Sequence, residues 1–133
     1  MRVAGCFLEH DGTFVLVHRR LHKPEGGTWG LPGGKVESDE TDLAAISREL
    51  FEETGYQASD EAFELLGEYE FTSSEGNPFT YVTYRVVITE PHDVVLEESA
   101  HSEYKWMTID EADAMDTLIF GLHDLFRFVG FVK

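Results

Sequence analysis

Between Gly34 and Tyr56 the chain reads GKVESDETDLAAISRELFEETGY. Thr41 to Thr54 is a helix by pattern, with no Gly or Pro, an apolar stripe of Leu43, Ile46 and Leu50, acids in the first turn, and Gly55 as the stop. Glu49, Glu52 and Glu53 then stand at i, i+3 and i+4 on one face, next to the stripe and near the C-terminal end. Each like-charged pair on a helix costs roughly 0.2 to 0.5 kcal/mol, and acids near a helix C-terminus oppose its dipole. On these residues alone two readings stay open. One is a solvated face on a very acidic protein. The other is a set of carboxylates gathered for a hard divalent cation, completed by a carbonyl of the nearby glycine loop, a donor set that suits Mg²⁺ or Mn²⁺ and not Zn²⁺.

Outward from this helix the pattern alternates between strands and helices. Val3 to Glu9 and Phe14 to Arg20 read as adjacent strands joined through the Asp11-Gly12 turn signal. Leu21 to Lys35, with two Pro and five Gly, reads as an irregular loop. Downstream, Phe63 to Phe71 and Phe79 to Thr89 are strands separated by turn residues from Thr72 to Pro78. Pro91-His92-Asp93 opens a loop, Tyr104 to Met107 is a short strand, and Thr108 with Glu111 forms a capping box that starts a helix. Thr117 to Val129 carries Leu118, Leu122, Leu125, Phe126 and Val129 on a helical period in spite of Gly121. The expectation is an α/β chain forming a single domain over residues 1–133.

Composition narrows the function. Cys6 is the only cysteine, so no internal disulfide or multi-cysteine zinc site exists and a cytoplasmic home is expected. The apolar stretch Val3 to Leu8 is too short to cross a bilayer. With 26 acidic and 10 basic residues the formal net charge is -16, which disfavours a nucleic-acid duplex or an anionic membrane as partner. Four of those 10 basic residues, Arg19, Arg20, Lys23 and Lys35, fall just before the acidic stretch Glu37 to Glu53. A positive patch beside a negative one is a place for a small anion and its metal. The histidines show no metal-binding spacing. A small-molecule partner is expected, on a monomer or a homodimer.

The residues Gly34, Glu40, Arg48, Glu49, Leu50, Glu52, Glu53 and Gly55 fit the pattern G-x5-E-x7-R-E-U-x-E-E-x-G-U, with U a bulky aliphatic residue. This resembles the Nudix box of the Nudix hydrolases, MutT-like members included. Tyr56, in place of the final aliphatic, is the departure, and a tyrosine there can still cover the core. Trp29 to Gly34 is similar to the family's lead-in, and Glu103 to Trp106 to its late strand.

The resemblance implies the Nudix fold, an α/β/α sandwich around a mixed β-sheet. It implies a Mg²⁺-dependent (or Mn²⁺-dependent) hydrolase of acid anhydrides, acting on the pyrophosphate linkage of a nucleoside triphosphate or related nucleoside diphosphate derivative. Glu49, Glu52 and Glu53 would be catalytic and hold the metal, with the carbonyl of Gly33 and with Glu98, chosen over Glu97 and Glu103, as further ligands. Glu49 is the expected base. Gly34, Glu40, Arg48 and Gly55 would be structural, Arg48 lying away from the metal face to pair with Glu40. Among the cations Arg20 is the first choice for contacting substrate, ahead of Arg19, Lys35 and Lys23. Trp106, Phe120 and the aromatics of Phe63 to Phe71 are assigned to the core. Triphosphates lead by elimination of other downstream signatures. The alternatives are a nucleotide-sugar (GDP-mannose type) or ADP-ribose hydrolase, or a catalytically silent nucleotide sensor.

Overall fold

The computed structural model describes residues 1–73 and 75–133; Ser74, within the turn read from Thr72 to Pro78, lies outside the described residues. In chain order the elements are β1 (Arg2–His10), β2 (Thr13–Arg19), β3 (Trp29–Gly30), β4 (Gly33–Lys35), α1 (Asp42–Thr54), a 3-10 turn (Asp60–Ala62), β5 (Glu64–Thr72), β6 (Pro78–Val87), β7 (His101–Met107), α2 (Ile109–Asp113) and α3 (Leu122–Phe128). The strands form one mixed sheet in the order β3-β2-β1-β6-β5, with β4 also on β1 and β7 also on β2. β1 and β6 run parallel from Arg2↔Thr80 to Glu9↔Val87, and the other pairings are antiparallel.

Central strands with apolar residues on both faces need cover on both sides. Ala4, Cys6 and Leu8 of β1, Val15 and Val17 of β2, and Val82 and Val86 of β6 bury one face under Ile46 and Leu50 of α1. The opposite face, Phe7, Phe14 and Leu16, packs under Leu122, Leu125 and Phe126 of α3. The result is the α/β/α sandwich that the resemblance implies. Trp106 and Tyr56 are partly buried against the first of these cores, and the Tyr56 ring meets His92 edge-on at 5.1 Å, so the departure in the box is indeed a packing variation.

Asp11 (φ 52°) and Gly12 (φ 77°) close the two-residue turn between β1 and β2. These strands pair only at Glu9↔Phe14 and His10↔Thr13, then diverge. The stretch expected to be irregular fills the gap. β3 adds to β2 at Val17↔Gly30 and His18↔Trp29, while β4 adds to β1 at Ala4↔Gly34 and Gly5↔Gly33. A Cβ on Gly33 would lie 2.1 Å from the Ala4 carbonyl oxygen, so only glycine permits this approach. α1 is capped by the Thr41 hydroxyl, which accepts from the Ala44 N–H, and by Gly55 (φ 76°), whose N–H donates to the Phe51 carbonyl. It packs on β4 and β1.

The C-terminal helix is shorter than its period suggested. Gly121 takes φ 88° and α3 starts after it. Before it, the Trp29 N–H donates to the Thr117 carbonyl and the Ile119 N–H to the Trp29 carbonyl, both at 2.8 Å, so residues 117–119 lie along β3 in place of coiling. β7 begins at His101, earlier than Tyr104, because its first residues pair with Arg19 and His18 at a bulge. Among the described residues no helix is long and apolar enough to cross a membrane.

Candidate active site

The last two turns of α1 face β4. A Cβ on Gly34 would stand 2.5 Å from Glu49 Oε1, so the absent side chain lets the strand lie on this carboxylate. Burial pushes the Glu49 carboxyl above its ordinary range, against the pull of Arg48. The Arg48 guanidinium grips Glu40 with two bonds, Nη2 to Oε1 at 2.6 Å and Nε to Oε2 at 3.1 Å. The Glu37 N–H also donates to Glu40. Arg48 and this amide hold Glu40 down at about 2. The expected pairing is present, but Arg48 does not lie away from the glutamate face. Its Nη1 donates to Glu49 Oε1 at 2.8 Å and stands 3.4 Å from Glu52 Oε1. One resident cation already offsets the like-charge cost read from the sequence.

Glu53 lies in a different setting from its neighbours. The helix face it stands on is covered, and the residue is only 7% exposed. The Gly33 N–H donates to its Oε1 at 2.8 Å. Burial outweighs that bond and pushes the carboxyl up to about 8, with Glu49 and Glu97 adding to the shift and Arg19 opposing it. Opposite, His101 is 2% exposed. Its Nδ1 stands 3.9 Å from Glu53 Oε2 and has no hydrogen-bond partner among the described residues. Burial, then the charges of Arg19, Lys23 and Arg20, push this imidazole down to about 4. Sequence reasoning missed His101, because the carboxylate it meets is supplied by a distant helix.

Two further choices change in three dimensions. Glu98 is exposed, and its carbonyl is engaged by Arg20 Nε. Glu97, one residue earlier, is the carboxylate whose charge reaches Glu49 and Glu53. Arg20 is turned to the same 97–100 turn, its N–H donating to the Ala100 carbonyl. Of the two arginines it is Arg19 that lines the cavity beside Gly33 and Gly34. Its Nε donates to the Pro24 carbonyl at 2.8 Å. Lys35 is exposed at the end of β4 and Lys23 partly so, and neither lines that cavity.

The cavity measures about 260 Å³. Phe71, Phe79, Tyr81 and Phe120 wall it, with Arg19 and Glu25 among its few polar members. Phe71 and Phe79 stack at 5.7 Å between centroids. Phe120 is 53% exposed, so its assignment to the core is corrected, and Phe71 serves both core and cavity. Flat apolar walls thus adjoin a glycine strand that leads to a cluster of carboxylates.

Among the described residues no three carboxylate, imidazole or thiol groups converge as a ready metal cage. In kind the donors nevertheless fit a hard cation. Glu49 and Glu53 sit on successive turns, burial raises both, and each is raised further by Glu97, a repulsion that a divalent ion among them would relieve.

Comparison with known proteins bears on the family and the fold. The profile of the NUDIX domain matches residues 1–126. A MutT-like protein of Streptomyces ambofaciens is 34% identical over 110 residues, covering 82% of this chain and 64% of that protein. The CTP pyrophosphohydrolase of Escherichia coli K12 is 38% identical over 69 residues, 52% of this chain and 47% of the other. The chain therefore spans about half to just under two thirds of these relatives. The crystal structure of a MutT protein from Methanosarcina mazei Go1 superposes with a TM-score of 0.81 at 25% identity, covering 96% of this chain and 91% of that one.

Proposed function

The chain belongs to the NUDIX domain family, and from that premise we propose that it is a divalent-metal-dependent hydrolase that cleaves the pyrophosphate linkage of a nucleoside triphosphate or a related nucleoside diphosphate derivative. The observation that carries this reading is the placement of Glu53, buried against the Gly33 N–H with Glu49 and Glu97 in electrostatic reach. Burying a carboxylate with one hydrogen bond is costly and has no structural return of its own. Glu49, Glu52, Glu53, Glu97 and the Gly33 carbonyl would hold Mg²⁺ or Mn²⁺. Bound there, the ion supplies neutralisation of the phosphate charge and a water acidified toward neutral pH.

The chain's own groups do the rest. Glu49 accepts the proton of the attacking water, and burial raises its affinity for that proton. Arg48 Nη1 orients it. Arg19 receives phosphate oxygens with a fork of donors, and the aromatic walls seat the base. Water attacks a phosphorus within the chain, the bridging P–O bond breaks, and a triphosphate yields a nucleoside monophosphate and pyrophosphate.

A panel of nucleoside triphosphates, nucleotide sugars, ADP-ribose and dinucleoside polyphosphates, incubated with Mg²⁺ and read by product chromatography, tests the proposal. Cleavage of at least one triphosphate to monophosphate and pyrophosphate is expected. Exclusive cleavage of a nucleotide sugar or ADP-ribose would move the substrate within the family. Tight nucleotide binding with no cleavage would make the chain a sensor.

A further inference from the structure

The loop between β2 and β3 turns at Glu25, whose φ of 54° is uncommon for a residue with a side chain. Gly26 and Gly27 follow directly, so a glycine at 25 would serve the same turn without that cost. Position 25 keeps a carboxylate instead. The Thr28 hydroxyl donates to the Glu25 carbonyl at 2.7 Å and fixes the turn. Glu25 Oε1 accepts from the Phe120 N–H at 3.1 Å, which ties the loop to the segment carrying the half-exposed aromatic wall. Leu118, Ile119 and Phe120 contribute no polar side chain to that wall.

The polar members of the cavity differ in what they can read. Arg19 only donates, and the Ser73 hydroxyl, which accepts from the Asn77 N–H, can still donate or accept, while the Tyr81 hydroxyl is buried against Gly5 and presents the ring alone. A carboxylate only accepts. With one lone pair given to Phe120, Glu25 has further lone pairs on both oxygens for a donor on the ligand. Resting on the function proposed above, we propose that Glu25 is a specificity-determining residue that selects nucleobases bearing an exocyclic amine over those presenting a carbonyl or nothing at that place. A carbonyl there sets acceptor against acceptor and leaves both unpaired.

Binding of nucleoside monophosphates to the intact chain tests this without requiring turnover. The pairs are CMP against UMP, AMP against IMP, and GMP against IMP, with kcat/KM measured in parallel on the corresponding triphosphates. A hydrogen bond to a charged group predicts that the amine-bearing member of at least one pair binds ~10-fold more tightly. Glu25→Gln keeps an oxygen for the Phe120 N–H but presents an amide donor as well, so it should hold the melting temperature and shrink that ratio below ~3-fold. Equal affinities in every wild-type pair, a ratio that survives in Glu25→Gln, or no binding at all would overturn the assignment. Discrimination in binding with no member of the substrate panel cleaved would retain Glu25 as the reader and overturn the proposed reaction. Cleavage without discrimination would do the reverse.

Discussion

The N–H of Gly33 donates to Oε1 of Glu53 at 2.8 Å, joining β4 to the last turn of α1 where the carboxylate is 7% exposed. One amide does not offset the loss of water, and the carboxyl is pushed up to about 8. Glu53→Gln keeps the acceptor for Gly33 and removes a carboxyl that, above pH ~4.5, has to take up a proton to be buried. In protein stripped of divalent ions, the variant should melt a few degrees higher than wild type, since ~1 kcal/mol corresponds to about 3 to 6 °C in a domain of this size. Turnover should fall by ~100-fold or more, the range set by loss of a group that stabilises transition-state charge. The rise in melting temperature that Mg²⁺ gives to wild type should shrink as well. Thermal melts with and without Mg²⁺ check both halves. An unchanged Mg²⁺ response in a folded Glu53→Gln protein would remove Glu53 from the metal site.

The Arg48–Glu40 fork gives a pH dependence of definite sign. Glu40 titrates at about 2 in the folded chain against an ordinary 4.5, so the unfolded chain binds the proton more readily. Its stabilising contribution is complete above pH ~4.5 and is lost as pH falls toward ~2. Glu40→Gln should therefore melt lower than wild type at pH 7, by an amount that stays constant down to about pH 5 and then shrinks with further acidification. Melting curves at closely spaced pH values measure it. A gap that widens in acid would mean that Glu40 does not carry the charge of this fork.

Much of this was legible because it is local. The period of Leu43, Ile46 and Leu50, the Thr41 and Gly55 caps, the Asp11-Gly12 turn and the Thr108–Glu111 box each depend on residues a few positions apart, and the structure carries all of them. The same holds for the Glu40–Arg48 pair, eight residues apart on one loop and helix. What the sequence did not disclose depends on tertiary pairing. β3 and β4 look irregular because their strand character comes from neighbours in β2 and β1, and Thr117 to Ile119 gives up its helical period to bond with Trp29. Which of Arg19 and Arg20 lines the cavity, and which of Glu97 and Glu98 has its charge felt at Glu49 and Glu53, turns on a bulge at His18/Arg19 and on a turn whose register no spacing rule supplies.

The acidic turn offers a direct discrimination. Glu97 is the carboxylate whose charge is felt at both Glu49 and Glu53, whereas Glu98 is exposed and contributes its carbonyl to Arg20. Glu97→Gln should lower turnover at fixed Mg²⁺ by roughly 10-fold and raise the Mg²⁺ concentration needed for half-maximal rate, as loss of one partner of a metal site does. Glu98→Gln should leave both near wild type. A Mg²⁺ titration of rate on the two variants decides, and impairment of Glu98→Gln alone would return the role to Glu98.

Arg19 and Arg20 are neighbours with separate tasks. The Arg19 guanidinium is held by the Pro24 carbonyl, lines the cavity next to Gly33 and Gly34, and lowers the proton affinity of Glu53 through its charge. Arg20 is spent on the backbone of the 97–100 turn, through Nε to Glu98 and its N–H to Ala100. If Arg19 meets the phosphate chain in ground state and transition state alike, Arg19→Ala should raise KM for a polyphosphate substrate by ~10-fold with a smaller change in kcat. Arg19→Lys, which keeps the charge but not the fork, should restore part of the loss. Arg20→Ala should instead lower the melting temperature modestly, because it frees the turn that carries Glu97, and should leave KM near wild type. Steady-state kinetics beside thermal melts separate these cases. A raised KM in Arg20→Ala with Arg19→Ala unaffected would show that the strand presents its other face to the substrate, since successive residues of a strand point to opposite sides.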